Sequence, residues 1–142
     1  MDDEAFIPKY QTEEAACCDL VANVPEDAAG IRQYTLPHRT TQLVDCGFSM
    51  ELQHGYKALI SARSGWAERG LIITNAPGTV DPDYRGRVKC LVTNVGKEVI
   101  VIKHLARIAQ MAIHPIYVFD WQVVDELTET ERGSGGFGST GT

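Results

Sequence analysis

The sequence has no long apolar run, no excess of basic residues and no cysteine spacing typical of a metal site. The run "VIVI" at 99–102 is among its longest apolar stretches, far short of the roughly 18 residues that cross a bilayer. We therefore expect no membrane partner. Thirteen Lys and Arg stand against nineteen Asp and Glu, for a net charge of −6. Sequence-independent nucleic-acid binding needs many cationic contacts to phosphate, so we expect no nucleic-acid partner.

The four cysteines, at positions 17, 18, 46 and 90, form neither a zinc-ligand spacing nor a disulfide framework. We expect reduced, mostly buried thiols. The N-terminal "MDDEAF" is acidic and lacks the basic-then-apolar order of a secretory signal. Together these features favour a cytoplasmic protein or, for a viral protein, the cytoplasm or nucleus of the host cell.

Short strand-like segments dominate the chain. In "TQLVDCGFSMEL" (41–52), apolar side chains recur at a spacing of two, which places them on one strand face: Val44, Cys46, Phe48 and Met50. Apolar or β-branched stretches predict further strands at 57–63, 70–75, 86–94, 97–102 and 109–124, the last broken near Pro115. Consecutive apolar residues in 97–102 favour burial of both faces of that strand.

Turns containing Gly and Pro separate these strands, and short helical turns are expected in "SGWAERG" (64–70) and "TEEAACCDL" (12–20). Many short strands joined by frequent turns are typical of an all-β sandwich, jelly roll or barrel. The length of 142 residues fits one such domain. The composition turns polar and then glycine-rich near its end, so we predict a β domain at 1–128 and an arm at 129–142.

The segment "NAPGTVDPDYRGRVK" (75–89) combines turn residues with side chains suited to acid–base chemistry. Asp81 and Asp83 flank Pro82 and precede Tyr84, so a hairpin here displays carboxylates and a phenol at its tip. Asp-Pro-Asp is also common in plain turns, where Asp caps backbone groups. An Asp acts as a general base only where the fold places it beside a water. These residues alone leave both interpretations open.

Two further stretches have an anion-binding and a structural interpretation. In "ARSGWAERG" (62–70), Arg63, Ser64 and Gly65 resemble a helix start whose N–H groups attract anions. An ordinary capped turn explains the same residues. In "LARIAQMAI" (105–113), Arg107 and Gln110 interrupt an apolar segment and point either to solvent or into a site.

The chain ends in "RGSGGFGSTGT" (132–142). Glycines adopt backbone conformations that other residues avoid, and they let N–H groups approach phosphate oxygens closely. The spacing of a Walker P-loop is missing. Composition alone favours a disordered tail, whereas the arginine, the phenylalanine and the hydroxyls suit a flap over a flat, anionic ligand.

Five of these segments, taken in order, resemble the five motifs of the homotrimeric dUTPase (deoxyuridine triphosphate pyrophosphatase) family. The counterparts are "AACCDL" (15–20), "ARSGWA" (62–67), "NAPGTVDPDYRGRVK" (75–89), "ARIAQM" (106–111) and "RGSGGFGSTG" (132–141). The resemblance spans nearly the whole chain, and the third and fifth motifs are its most specific parts.

The resemblance implies a jelly-roll-like β-barrel subunit that forms a homotrimer with active sites shared between subunits. It implies a flexible glycine-rich arm that closes over the site. The implied reaction is hydrolysis of dUTP to dUMP and pyrophosphate, with Mg²⁺ on the triphosphate as cofactor. Such an enzyme limits uracil in DNA and supplies dUMP for dTMP synthesis.

The resemblance also implies roles for individual residues. Asp81 corresponds to the catalytic aspartate that activates water for attack on the α-phosphorus, and Asp19 to a residue that reaches the metal through water. Tyr84 corresponds to the residue that excludes a 2′-hydroxyl, and Phe137 to one that stacks on uracil. The implied substrate-binding set is Arg63, Ser64, Gly65, Asn75, Val80, Tyr84, Lys89, Gln110, Arg132, Phe137, Gly138, Ser139 and Thr140.

This chain departs from the family motifs at three places. Cys17 stands where the first motif usually has glycine, Trp66 replaces a smaller aliphatic residue in the second, and Leu105 and Ala106 replace glycine and an acid in the fourth. The nearest alternative is a dCTP deaminase, or a bifunctional deaminase–pyrophosphatase, of the same fold. Such an enzyme needs a glutamate where this chain has Leu91, and an alkyl side chain cannot transfer protons. The other alternative is a binding protein without catalysis, which has no need of a general base.

Overall fold

The computed structural model of the protein describes residues 3–136, and β-strands form most of its regular structure. The elements in chain order are a 3-10 helix (Asp3–Phe6), β1 (Cys18–Val21), β2 (Gln33–Leu36), β3 (Thr41–Ser49), β4 (Tyr56–Ala62), α1 (Ser64–Glu68), β5 (Leu71–Ile73), β6 (Gly78–Val80), β7 (Arg87–Asn94), β8 (Ile100–Lys103) and β9 (Arg107–Pro115). The predicted all-β class and the predicted helical turn at 64–70 are confirmed.

The strands pair antiparallel in three sheets within residues 3–136. One has the order β1-β9-β4-β6, the second β3-β7-β5, and the third joins β2 to β8. Antiparallel sheets bury one face and solvate the other. All three sheets contribute to one core, because β1, β4, β7, β8 and β9 each carry fully buried apolar side chains.

The core follows from alternation along the strands. On β3, Val44 and Cys46 are buried. Phe48 on β3 and Met50 just after it are partly buried against the same core, so the face predicted for 41–52 is confirmed. On β7 the inward positions alternate in the same way as far as Asn94, whose buried amide donates to the Leu36 and Glu98 carbonyls at 2.8 Å each.

The prediction that both faces of 97–102 are buried is wrong for the single chain. Ile100 and Ile102 are buried, whereas Val99 and Val101 are 55% and 37% exposed. β8 lies in a two-stranded sheet with β2, so only its inner face meets the core. The outward valines leave an apolar strip that the single chain does not cover.

Two elements differ from the prediction: one strand is shorter, and one helical turn is absent. β9 stops at Pro115, and residues 116–124 form no strand; Pro cannot donate to a ladder, and the Ile116 N–H bonds to the Gly55 carbonyl instead. The helical turn predicted at 12–20 is also wrong, because its last three residues begin strand β1.

The stretch 75–89 is not a hairpin. β6 pairs with β4, while β7 pairs with β3 and β5. The loop 81–86 therefore carries the chain from one sheet to another. β6 was not predicted from the sequence because it is three residues long and begins with glycine. β2 (Gln33–Leu36) was not predicted either, because it has few β-branched residues.

The tight connection between α1 and β5 depends on a glycine. Gly70 has φ +89°, and a Cβ there would overlap the backbone of Gly96. The Gly70 carbonyl accepts a hydrogen bond from Val95, which locks the end of α1 to the β7–β8 turn.

Among residues 3–136, the structure contains no helix with the length and apolar character of a membrane span.

Candidate active site

The loop 81–86 is a tight turn that displays two of the predicted site residues. The Tyr84 N–H donates to the Asp81 carbonyl oxygen over 3.2 Å, and Arg85 caps the turn by donating to the Pro82 carbonyl over 2.6 Å. Arg85 also forms an ion pair with Glu51 at 3.2 Å. These contacts hold the turn by its backbone and leave the Asp81 carboxylate exposed.

The hydroxyl end of the Tyr84 ring is held by two contacts. Its hydroxyl donates to the Arg87 carbonyl over 3.0 Å. A Cβ added at Gly86 would lie 2.6 Å from Cζ of Tyr84 and closer still to its hydroxyl oxygen, so the ring rests directly on the glycine backbone. The side chain is nevertheless 46% exposed, which leaves one ring face open to a ligand.

Tyr84 borders a cleft of about 200 Å³, called here the Asp81 cleft. It is lined by Thr79, Val80, Asp81, Tyr84, Arg87, Val88 and Lys89. Four predicted site residues therefore come together here, from β6, the loop and β7. Arg87 escaped prediction; it pairs with Asp45 at 2.8 Å across the β3–β7 register, and no spacing signal marks it.

A second cleft, of about 420 Å³, gathers the other charged residues and is called here the Asp19 cleft. It is lined by Gln11, Ala15, Cys17, Asp19, Arg63, Ser64, Gly65, Trp66, Arg69 and Gln110. Strand register explains the convergence, because Asp19 on β1 faces Gln110 on β9, which faces Ser61 on β4. All five residues predicted here, Asp19, Arg63, Ser64, Gly65 and Gln110, line this cleft.

Asp19 is the electrostatic centre of its cleft. Its side chain is only 10% exposed, with Oδ1 2.8 Å from Arg63 Nε and Oδ2 3.1 Å from Arg107 Nη1. A buried carboxylate needs such partners, because its desolvation is costly otherwise. The Arg107 Nη1 atom also donates to Gln11 Oε1 over 2.9 Å, and Gln110 donates to the Ala62 carbonyl over 3.1 Å.

Four contributors to this cleft were missed or left undecided. Arg107 is one of the two polar interruptions noted in 105–113, and it turns toward Asp19. Trp66 was noted only as a departure, while Gln11 and Arg69 carried no signal. The guanidinium carbon of Arg69 lies 4.6 Å from the Trp66 ring centroid. Two arginines therefore pair with the one carboxylate and a third, Arg69, lines the same cleft, which makes the cleft cationic.

The chain matches the dUTPase family model over residues 3–141. This chain belongs to the dUTPase family. The deoxyuridine 5'-triphosphate nucleotidohydrolases of Roseobacter denitrificans and Nautilia profundicola are each 42% identical to it, over 99% of this chain and 90% and 94% of their own lengths. The family predicted from the five motifs is confirmed, and with it the enzyme class, dUTP diphosphatase.

Solved dUTPase structures share the fold. A Staphylococcus bacteriophage 80alpha dUTPase with dUpNHpp superposes with a TM-score of 0.82 at 22% identity, covering 96% of this chain and 92% of that one. The EIAV dUTPase gives a TM-score of 0.71 at 22% identity, covering 86% of this chain and 93% of that one. The jelly-roll-like prediction is confirmed.

The two clefts of this dUTPase-family chain lie apart and, within residues 3–136, have no lining residue in common. Along β4, Ala58 pairs with Val80 on one side while Ser61 pairs with Gln110 on the other. Three residues of strand correspond to about 10 Å, and the two partners lie on opposite edges of β4. One subunit therefore does not bring all the predicted site residues into one place.

Two further predicted residues, Asn75 and Arg132, lie outside both clefts. Asn75 is exposed in the turn before β6, with its amide nitrogen 3.6 Å from where a Cβ of Gly78 would lie. Arg132 is exposed and donates to the Gly135 carbonyl over 2.9 Å. Phe137 and the three residues after it, Gly138, Ser139 and Thr140, lie outside the described residues.

The cysteine prediction is confirmed. All four cysteines are free; Cys18, Cys46 and Cys90 are buried, and Cys17 is half-buried in the Asp19 cleft. Burial raises the pKa of the Cys18 thiol. The hydrogen bond with Cys90, followed by burial, raises the pKa of Cys46 strongly.

The donor set agrees with a metal held mainly by substrate. In the part of the chain that the structure describes, no three His, Cys, Asp or Glu residues converge as a metal site. Mg²⁺ keeps several waters and is commonly held by one or two carboxylates and substrate phosphates. Asp19, the one carboxylate in the lining of a cleft that also carries arginines, fits that mode.

Proposed function

We propose that this dUTPase-family enzyme hydrolyses dUTP to dUMP and pyrophosphate, and that it uses both clefts to do so. The Asp81 cleft takes the nucleoside and the α-phosphate, and the Asp19 cleft takes the rest of the triphosphate. The observation that carries the proposal is the pairing of an exposed carboxylate with a rigid, half-exposed phenol in one small cleft. Family membership supplies the substrate.

Asp81 is proposed as the general base. Its carboxylate is exposed at a turn that Arg85 holds by the backbone, so water reaches it freely. It takes a proton from the water that attacks the α-phosphorus in line with the departing pyrophosphate. A positioned base contributes about 10²–10⁴-fold to such a step, and the remaining acceleration comes from alignment and charge neutralisation.

Tyr84 is proposed to select deoxyribose. The ring rests on Gly86 and is tied to the Arg87 carbonyl, so it cannot withdraw from a 2′-hydroxyl. Val80, Lys89 and the backbone between them, together with Asn75, are proposed to bind the uracil edge and exclude a 5-methyl group. A rigid wall rejects a larger substrate more strongly than a mobile one, because displacing it disrupts its support.

The phosphates are proposed to bind Arg63, Ser64, Gly65 and Gln110 in the Asp19 cleft. Arginine suits this role because its planar donors match phosphate oxygens. Mg²⁺, when bound to the triphosphate, would neutralise phosphate charge, and Asp19 would hold it through water. The arm, 129–142, would close over the nucleotide, with Phe137 on uracil and Arg132, Gly138, Ser139 and Thr140 at the β- and γ-phosphates.

The separation of the clefts supports a homotrimer with shared sites. The Asp81 cleft of one subunit would complete the Asp19 cleft of a neighbour. Exposed apolar side chains also need cover: the strip on β8 and several large residues of 117–127, among them Trp121 at 94% exposure. Patches of this kind mark interaction sites, and a second copy is the partner that also completes the active site.

In the cell, the proposed activity limits uracil in DNA and supplies dUMP for dTMP synthesis. The site of action is proposed to be the cytoplasm, or the host cytoplasm or nucleus for a viral protein. No nucleic-acid or membrane partner is proposed. The β domain at 1–128 would carry the clefts, and the arm at 129–142 would close them.

The test is pyrophosphate release from dUTP, dCTP, dTTP and UTP measured side by side, with and without Mg²⁺. We expect rapid, Mg²⁺-dependent release from dUTP and little from the other three. Ammonia release from dCTP would instead support the deaminase alternative, against which Leu91 on β7 argues. No release from any nucleotide would support the non-catalytic alternative.

A further inference from the structure

Trp66 lies in the Asp19 cleft, yet the proposed reaction gives it no role. Its indole Nε1–H donates to the Arg107 carbonyl oxygen over 2.7 Å. The Nη1 of Arg63 donates to the same oxygen over 3.1 Å. A carbonyl oxygen has two lone pairs, so both donors bind one acceptor. Trp66 and Arg63 are thereby linked through a single backbone atom.

Strand irregularity explains why this carbonyl binds side chains. β4 pairs with β9 only as far as Ala62 with Ala109, two residues short of Arg107. On the other side of β9, the register with β1 shifts between Leu20 and Val21. Such bulges redirect groups beside functional sites. The chain leaving β4 toward α1 then supplies the donors, through Arg63 and Trp66.

Arg63 is held in one orientation by two contacts. Its Nε binds Asp19 Oδ1 over 2.8 Å, and its Nη1 binds the Arg107 carbonyl. A guanidinium has five N–H donors in one rigid plane, so fixing two of them fixes the direction of the others. The side chain is 30% exposed, which leaves part of that plane open to the cleft.

We propose that Trp66 is a positioning residue, which orients the Arg63 guanidinium toward the polyphosphate of the substrate by sharing the Arg107 carbonyl with it. The inference rests on the proposed function of the Asp19 cleft as a phosphate site. Arg69 stacks on the indole at 4.6 Å and steadies the ring by a cation–π contact. Trp66 itself touches no phosphate, and its contribution passes entirely through Arg63.

The test compares Trp66→Phe with wild type, because phenylalanine removes the N–H donor and keeps an aromatic ring, although a smaller one, beside Arg69. Binding of inorganic triphosphate with Mg²⁺ and binding of deoxyuridine are measured separately by calorimetry. We expect triphosphate to bind about fivefold more weakly, the effect of one lost hydrogen bond of about 1 kcal/mol, and deoxyuridine to bind unchanged. Equal weakening of both ligands would assign Trp66 to packing and overturn the proposal.

A double-mutant cycle separates positioning from any other effect of Trp66. In an Arg63→Gln background, Trp66→Phe is expected to leave triphosphate affinity unchanged, because the group it positions is gone. A further fivefold loss in that background would contradict a path through Arg63. These experiments measure binding and not turnover, so they test the positioning role separately from the proposed function. A protein that shows the expected triphosphate binding but does not hydrolyse dUTP would refute the proposed function and leave the role of Trp66 standing.

A measurement that leaves Trp66 in place guards against a variant that does not fold. The chain has two tryptophans, so Trp121→Phe leaves Trp66 as the single tryptophan, whose emission is followed with excitation that the tyrosines do not absorb. Saturating triphosphate is expected to change its emission, and the change is expected to disappear in Trp121→Phe/Arg63→Gln. Emission that does not respond to triphosphate in the Trp121→Phe protein would overturn the proposal.

Discussion

Tyr84 rests directly on the backbone of Gly86, with no room for a methyl group between them. The contact joins two residues of one loop. That loop also contains Asp81 and connects one sheet to the next. A base and a substrate-selecting wall are therefore built on the same short segment. Any disturbance of the ring is expected to reach both selectivity and rate.

Gly86→Ala tests this relationship. The new Cβ displaces the ring, and a misplacement of about 1 Å in a site costs on the order of 10²-fold in rate. We expect kcat/KM for dUTP to fall by about that factor, and the preference for dUTP over UTP to shrink. Tyr84→Phe is the companion variant: it leaves Gly86 unchanged and removes the phenol hydroxyl, with its hydrogen bond to the Arg87 carbonyl and its contact with Gly86. A Gly86→Ala enzyme with wild-type selectivity would show that the ring is not the wall.

Asp81→Asn tests the general base. The amide preserves the shape of the turn but cannot take a proton, so kcat is expected to fall by about 10²–10⁴-fold with the affinity for dUpNHpp near wild type. Asp83→Asn, two residues along the same loop and outside the lining of the Asp81 cleft, serves as control. Comparable turnover by Asp81→Asn and wild type would remove Asp81 from its role.

Cys17 is expected to be the first thiol to react with iodoacetamide in the native protein. It is half-buried, whereas the other three cysteines are buried. Because it lines the Asp19 cleft, its alkylation is expected to inhibit turnover, and pyrophosphate is expected to protect it. Mass spectrometry of the native protein identifies the modified residue, and Cys17→Ser provides the control. Inhibition that persists in Cys17→Ser would point to another thiol.

His104 is expected to make stability fall at mildly acidic pH. Its Nδ1 accepts the Val24 N–H over 3.1 Å. Burial, and then Arg32, lower its pKa below the ordinary 6.5. In the folded protein the ring stays neutral, while in the unfolded chain it takes up a proton once the pH drops below about 6.5. Its contribution is therefore complete above that pH and is lost as the pH falls toward the lowered folded-state pKa.

Urea unfolding at pH 7.5 and 5.5, at one fixed protein concentration, measures this effect. The loss of unfolding free energy between the two pH values is expected to be smaller in His104→Asn than in wild type. His114→Asn changes an exposed histidine and is expected to behave as wild type. Equal losses in His104→Asn and wild type would exclude His104 as the source.

Much of the fold was accessible from the sequence because alternation along β3 and β7 reports burial directly. Three strands, β1, β2 and β6, were not predicted. β6 is too short to show a period, and its pairing with β4 rather than β7 is a long-range choice. β9 was overextended because the apolar residues after Pro115 look like strand residues in isolation. The local sequence gives no sign that residues 116–124 lack a strand partner in the single chain.

The candidate site divides in the same way. Asp81, Tyr84, Arg63 and Gln110 lie in contiguous motifs, and the structure places each in a cleft. Gln11 and Arg69 lie in weakly patterned segments, and only the tertiary fold brings them to the lining of the Asp19 cleft. The network of donors around the Arg107 carbonyl depends on a register shift, which a sequence does not display.

Mixing two inactive variants tests most directly whether the two clefts of neighbouring subunits form one active site. Asp81→Asn disables the Asp81 cleft, and Arg63→Ala disables the Asp19 cleft. Co-refolded at equal amounts, they should regain about one quarter of wild-type dUTP turnover, since each cleft of a shared site is intact with a probability of one half in a random closed oligomer. Turnover no higher than that of either variant alone would contradict a site shared between subunits.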